Sequence, residues 1–148
     1  MNEGASVDEL AARIQLPENL AAKPYLQQLY GCTAWSVRSI YANKVGWFDG
    51  DPIHIAPLTL AEESQRMVAL AGGVEALLAQ AQEALDQGDE RWAARLANYV
   101  LQLQDTVAGQ EQATAREILA KAYEAMGKNI LPITGKNYLQ SCALGLRL

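Results

Sequence analysis

Leu85-Asp86-Gln87-Gly88-Asp89-Glu90-Arg91-Trp92-Ala93-Ala94-Arg95-Leu96 decides how this chain folds. Two helical halves meet in it at Gly88-Asp89. On the near side, Val74 to Gln87 sets Leu77, Leu78, Ala81 and Leu85 on one stripe at helical spacing. Gly88 suits the left-handed position that closes a helix. Asp89 offers a carboxylate to the unpaired N–H groups that open the next one. On the far side, Glu90 to about Gln104 places Trp92, Leu96, Tyr99 and Val100 on an inner face, with Leu103 one turn further. Two apolar stripes joined by a two-residue turn read as an antiparallel helical hairpin.

The same grammar extends outward in both directions. Downstream, Gln112 to Met126 reads as a partner helix ending at Gly127, and a loop holding Pro132 and Gly135 leads to a last helix from about Lys136 to Leu146. Upstream, Thr59 and Glu62 have capping-box spacing and open a helix to about Leu70, stopped by Ala71-Gly72-Gly73. Ser6 and Glu9 repeat that spacing and open a helix to about Ile14, before Pro17. Short helices are expected from about Pro17 to Ala22 and from Pro24 to Tyr30, since proline is tolerated in a first turn. Trp35 to about Lys44 reads as a helix with Val37, Ile40 and Tyr41 sharing a face, closed by Gly46. Phe48-Asp49-Gly50-Asp51-Pro52 is turn chemistry, and the run to Pro57 reads as an extended connection. Valine and isoleucine are sparse and no apolar/polar alternation appears, so the chain is predicted to be all-α.

The hairpin resembles a tetratricopeptide unit, and Ala122-Tyr123-Glu124-Ala125-Met126-Gly127-Lys128 repeats its helix-then-glycine ending. Gly88 and Gly127 are 39 residues apart, longer than the roughly 34 of the strict repeat. The expectation is one and a half degenerate TPR-like hairpins packed as a small bundle. So short a stack leaves an apolar face uncovered, and a second copy of the chain is the simplest cover.

A length of 148 residues suits one domain, and half of them are hydrophobic, which excludes a disordered chain. Twelve basic against seventeen acidic residues leave a net charge of −5, the wrong sign for a nucleic-acid surface. No apolar run approaches the ~20 residues of a membrane span. Met1-Asn2-Glu3-Gly4 is polar and acidic, unlike a signal peptide. Cys32 and Cys142 read as two buried thiols; spacing alone neither requires nor excludes a disulfide.

Catalytic chemistry is thin. His54 is the one histidine, in a proline-flanked connection, and reads as a solvated loop residue. A zinc site wants three or four His, Cys or carboxylate ligands, and no such cluster is spelled here. There is no nucleophile elbow, and Gly72-Gly73 lacks the Lys-Ser/Thr of a phosphate loop. Glu62-Glu63 have a local explanation in helix-dipole compensation, Asp49 and Asp51 in turn hydrogen bonds. Two features stand out. Tyr30, Trp35, Tyr41, Trp47 and Phe48 either form an aromatic core or wall a groove shared with a neighbouring domain. Arg38 lies one turn after Trp35 on the same face. It either pairs with Asp49 or Asp51, or aims its planar fork at sulfate or phosphate oxygens.

Tyr30-Gly31, Ser36-Val37-Arg38-Ser39-Ile40-Tyr41 and Gly46-Trp47-Phe48-Asp49-Gly50-Asp51-Pro52, in that order, resemble the alkyl sulfatase dimerisation domain. Asn2-Glu3-Gly4, Ile14-Gln15-Leu16-Pro17, Ala71-Gly72-Gly73, Arg91-Trp92-Ala93 and Asn137-Tyr138-Leu139 follow in register with it. The resemblance implies a homodimeric module of a zinc-dependent sulfuric ester hydrolase. Its parent would hold a metallo-β-lactamase-type catalytic domain with two zinc ions upstream, and a sterol-carrier-like domain downstream. Neither is spelled here, so an excised or truncated module is expected. Residues 1-30 would be the segment leaving the catalytic domain, and 31-148 the dimerisation domain. No cofactor is expected in the chain itself, nor activity alone, and Tyr30, Trp35, Arg38 and Trp47 are expected to frame the parent's sulfate-ester site. Many relatives place a histidine, a candidate proton donor, where Trp35 stands. Tryptophan cannot donate that proton usefully, so either another acid serves or the position only shapes the pocket. The rival reading is a free-standing TPR-like scaffold that binds peptides; a third, a complete small enzyme using Arg38 and nearby carboxylates.

Overall fold

Ser6 and Thr59 open their helices as their spacing predicts. The Ser6 hydroxyl accepts the Glu9 N–H at 3.2 Å, and Glu9 returns a carboxylate to the Ser6 N–H at 2.8 Å. Thr59 and Glu62 make the same reciprocal pair, again at 3.2 and 2.8 Å. These boxes start α1 (Val7–Arg13) and α4 (Leu60–Ala71). The structure, a computed structural model, describes residues 4–103 and 105–148; the Asn2-Glu3 of the opening motif and Gln104 lie outside them. The remaining α-helices are α2 (Glu18–Ala21), α3 (Thr33–Val45), α5 (Val74–Asp86), α6 (Glu90–Leu101), α7 (Gly109–Asn129) and α8 (Ile133–Gly145). The described residues are all-helical, without a strand.

Both boxes have a pH signature. The backbone N–H of Ser6, then its hydroxyl, holds the Glu9 carboxyl below its ordinary 4.5. Thr59 does the same to Glu62. A lowered folded-state pKa means that the stabilisation is complete above the ordinary value and is lost as pH falls through the lowered one. We expect Glu9→Gln with Glu62→Gln to flatten the loss of helicity below pH 4.5, read by circular dichroism. An unchanged acid limb would count against the caps as its source.

Two compact units divide the chain. The first, Met1–Pro57 with Leu131–Gly135, packs α1 on α3. Among its described residues Leu10, Ala11, Tyr41 and Pro132 are buried. Leu29 and Tyr30 are held by the later segment: the Leu29 carbonyl accepts the Ile133 N–H at 2.7 Å, and the Tyr30 carbonyl accepts the Thr134 hydroxyl at 2.6 Å. The expected helix from Pro24 to Tyr30 shrinks to a 3₁₀ turn, Pro24–Leu26. Gln27 is the cause: its backbone is extended, and its side-chain amide donates to the carbonyls of Ala21 and Lys23. Pro52–Ile55 is likewise a 3₁₀ turn rather than an extended connection, because the Asp51 carboxylate caps the Ile53 N–H.

The second unit, Leu58–Ile130 with Lys136–Leu148, is built around α6, which packs on α4, α5 and α7. Leu77, Leu78, Leu96, Tyr99, Val100, Ile118 and Leu119 fill its core among buried alanines. Small side chains let helix axes approach closely, so the few large ones interdigitate. Asp89 caps α6 by accepting the Trp92 N–H at 3.2 Å, as its position in the hairpin predicts. Trp92 itself departs from expectation: it is exposed, because Ala93, Leu96, Ala97 and Val100 carry the buried face and Trp92 sits at its edge.

Gly127 also departs. It does not end a helix: α7 continues to Asn129, and Gly127 has no positive φ. It is therefore no counterpart of Gly88, whose φ is +79°. A Cβ on Gly127 would lie 3.8 Å from both Leu139 Cβ and the Lys136 carbonyl oxygen, ordinary van der Waals contact. Gly127→Ala should accordingly stabilise the second unit by about 0.5–1 kcal/mol through helix propensity. Urea denaturation checks this; a destabilised variant would mean the two helices cannot yield even a methyl group.

Candidate functional site

The Gly46–Pro52 run hangs from the end of α3. Gly46 closes that helix at φ +86°, a backbone conformation that side chains oppose. Beyond it, Asp49 organises the turn. One of its oxygens accepts the Asp51 N–H at 3.0 Å, and the other lies 2.7 Å from His54 Nδ1. Tyr41 donates its phenol to the Asp49 carbonyl at 3.3 Å, tying the turn to the buried face of α3. The Asp51 N–H first, and His54 after it, holds the Asp49 carboxyl below the ordinary carboxylate value. The contact between Nδ1 and the Asp49 carboxylate fixes the orientation of the ring and leaves Nε2 on its far side. His54 is exposed to solvent, as expected, and is in addition oriented by Asp49.

An oriented imidazole is one half of an acid–base site; a nucleophile or metal would be the other. Among the described residues no group of three or more His, Cys, Asp or Glu could hold a metal ion. The described side chains therefore do not fit a zinc ion.

The four expected framing residues all belong to the first unit. Tyr30 is 76% exposed and Trp47 81%. Trp35, in the first turn of α3, packs near Gly31, where a Cβ would lie 4.0 Å from its ring. Trp47 stacks at a tilt on Phe48, ring centres 5.5 Å apart. No hydrogen bond or ion pair joins Tyr30, Trp35, Arg38 and Trp47 to one another among the described residues. Of the aromatic set only Tyr41 is buried, so these rings are not a core. Ile40, expected beside Tyr41, is exposed as well.

Arg38 pairs with Asp8 of α1 at 2.6 Å, not with Asp49 or Asp51. The reason is local: Asp49 is taken by Asp51 and His54, and Asp51 by the Ile53 N–H. Both members of the pair are well exposed, so an external anion can reach the guanidinium. Cys32 and Cys142 are free and half-buried, not fully buried.

Three interactions escaped the sequence. Asp8–Arg38 joins residues thirty apart, with no local signal. Tyr99 donates to Glu63 at 2.6 Å, so Glu63 does more than offset a helix dipole. Arg147 bridges Glu117 and Glu124 on α7, and holds both carboxyls below their ordinary value. The Asp49–His54 pair alone left a trace: a carboxylate and an imidazole five residues apart across a proline turn.

A family model described as alkyl sulfatase dimerisation matches residues 6–148. A linear primary-alkylsulfatase of a Pseudomonas strain is 36% identical over 99% of this chain, which spans 27% of that protein. An alkyl/aryl-sulfatase of Saccharomyces cerevisiae is 27% identical over the same share, and the chain spans 22% of it. The solved structure of a stereoselective inverting sec-alkylsulfatase from Pseudomonas superposes with a TM-score of 0.88 at 33% identity, covering 99% of this chain and 23% of that one. The chain therefore spans about a quarter of the length of the relatives it matches.

Proposed function

Because the chain belongs to the alkyl sulfatase dimerisation family, we propose that it joins two copies of a zinc-dependent alkyl sulfatase and frames the sulfate-ester site without cleaving the ester itself. The α5–α6 hairpin and its α7 partner serve in this reading as a TPR-like scaffold. Residues 1-30 lead from a metallo-β-lactamase-type catalytic domain, and 31-148 form the module. Tyr30, Trp35 and Trp47 offer apolar walls for an alkyl chain, and Arg38 offers a fork for sulfate oxygens.

One observation supports the reading above the rest. Large apolar side chains stand exposed in the first unit, the Arg38 guanidinium there is reachable from solvent, and no group of three or more potential metal ligands occurs among the described residues. That combination suits a surface completed by neighbours better than a self-contained active site.

Two measurements test it. Light scattering over a dilution series should show a dimer that dissociates on dilution; a monomer at every concentration would favour the peptide-binding scaffold. A sulfate-ester assay with added zinc should show no turnover above buffer, since no group of side chains among the described residues can hold a metal to generate hydroxide at neutral pH.

A further inference from the structure

We propose that α8 from Lys136 onward is a strap that opens from α7 while the rest of the second unit stays folded, and that Arg147 is the clasp that holds it shut. The device lies wholly in the second unit and is independent of the sulfatase reading.

Burial holds α8 weakly. Over thirteen residues it buries one side chain, Ala143, whereas α6 buries six over twelve. Its other inward groups, Leu139, Cys142 and Leu146, are half-buried. Leu146 packs against the core, and Leu139 meets α7 at Gly127, where no side chain answers it. Cys142 lies by Tyr123, whose phenol is raised above its ordinary 10.0 by burial first and by the nearby thiol next. Tyr138 and Leu144 stand 72% and 65% exposed. Apolar side chains on both faces leave no single stripe to drive docking. Nor do the two helices close on each other along their length. A groove of about 480 Å³, lined by Glu124, Gly127, Lys128, Lys136, Gln140 and Leu144, runs between them, where a protein interior would be close-packed. A helix with so few buried apolar contacts is the kind of segment that opens well below the free energy of global unfolding.

Arg147 supplies what burial does not. Glu117 and Glu124 stand seven residues apart, two turns of α7, and so share a face. The guanidinium lies across both. Nε donates to Glu117 at 3.1 Å and Nη1 to Glu124, while Nη2 reaches the second oxygens of both, at 3.5 and 3.4 Å. All three nitrogens are engaged, two on each carboxylate. A planar fork suits this task and an ammonium does not. An isolated surface pair contributes little, but one fork shared by two carboxylates is a network, which is the exception. Glu124 is both a wall of the groove and half of the clasp. Arg147 directly follows Leu146, so the ion pairs and the last apolar contact release together.

Cys142 reports the motion, because opening carries its half-buried thiol into solvent. With Cys32→Ser as background it is the one thiol, and its reaction with an aromatic disulfide reagent gives a rate. Arg147→Gln is expected to speed that reaction about tenfold, an opening equilibrium shifted by about 1.4 kcal/mol. Arg147→Lys keeps the charge without the fork and should speed it at least threefold. Glu117→Gln with Glu124→Gln should match Arg147→Gln, and combining all three should change the rate less than twofold further. Lys121→Gln removes the other cation on Glu117 but nothing on α8, and should leave the rate within twofold. Hydrogen exchange in Arg147→Gln should show residues 136–145 losing protection while α5, α6 and α7 keep theirs. Equal loss of protection in α5–α7 overturns the strap, as does a natural chain whose thiol reacts only at the rate of global unfolding. An unchanged rate in both Arg147 variants overturns the clasp, and so does an equal acceleration by Lys121→Gln.

Discussion

Leu96→Ala should remove about 3–4 kcal/mol from the second unit, the upper half of the range for a buried leucine. Leu96 is 1% exposed, in the middle of α6, and α6 packs on three other helices. The lost transfer energy is only part of the cost. The rest is the cavity, whose size depends on whether neighbours can move in. Here many of them cannot, because the core around α6 is lined with Ala81, Ala84, Ala93, Ala97, Ala115 and Ala122. A methyl group has no rotamer with which to fill a gap. Domains of ordinary size hold 5–15 kcal/mol, so the variant sits near its melting point at modest temperature. Urea denaturation with an unchanged m-value reads the loss directly. Leu70→Ala, at an 81% exposed position, should stay within about 0.5 kcal/mol. A Leu96→Ala cost under 1 kcal/mol would mean that this core is not close-packed.

Legibility follows the range of the interaction. Ser6–Glu9, Thr59–Glu62 and Asp89 were readable because a cap and its helix are adjacent in sequence. The buried stripe of α5 and most of α6 followed from period alone. Gly127 misled because glycine can also sit inside a helix, and only its backbone, without a positive φ, separates that from a left-handed stop. Trp92 misled because size suggests burial, whereas this core accepts alanine at its tightest points. The segment from Pro24 to Tyr30 failed for a third reason: the Gln27 side chain competes with the helix for backbone carbonyls.

The candidate site was legible as a list of residues but not as a geometry. Tyr30, Trp35, Arg38 and Trp47 announced themselves by type and order. Nothing in their spacing told that Arg38 would find Asp8, or that His54 would find Asp49. Hydrophobic residues signal that burial is needed without saying which chain supplies it. An aromatic cluster in sequence is therefore equally consistent with a core and with an interface. Exposure in the folded chain separates them, and here it excludes the core.

Tyr99→Phe is expected to cost about 2 kcal/mol, although it deletes one oxygen. Tyr99 is buried on α6, and its phenol donates to Glu63 of α4 at 2.6 Å. A hydrogen bond to a charged acceptor contributes roughly 1.5–3 kcal/mol, and its loss strands a half-buried carboxylate. If that stranding sets the cost, Glu63→Gln in the Tyr99→Phe background should recover part of it, because an amide is cheaper to leave unpaired than a charge. If the cost is only lost packing, the second change recovers nothing. The alkaline limb gives an independent reading. Burial first, and the Glu63 carboxylate next, raises the Tyr99 phenol above its ordinary 10.0. A raised folded-state pKa means stability that is whole below the ordinary value and lost as pH rises through the raised one. The natural chain should therefore lose stability above pH 10 more steeply than Tyr99→Phe, and parallel curves would show that the phenol carries no such coupling.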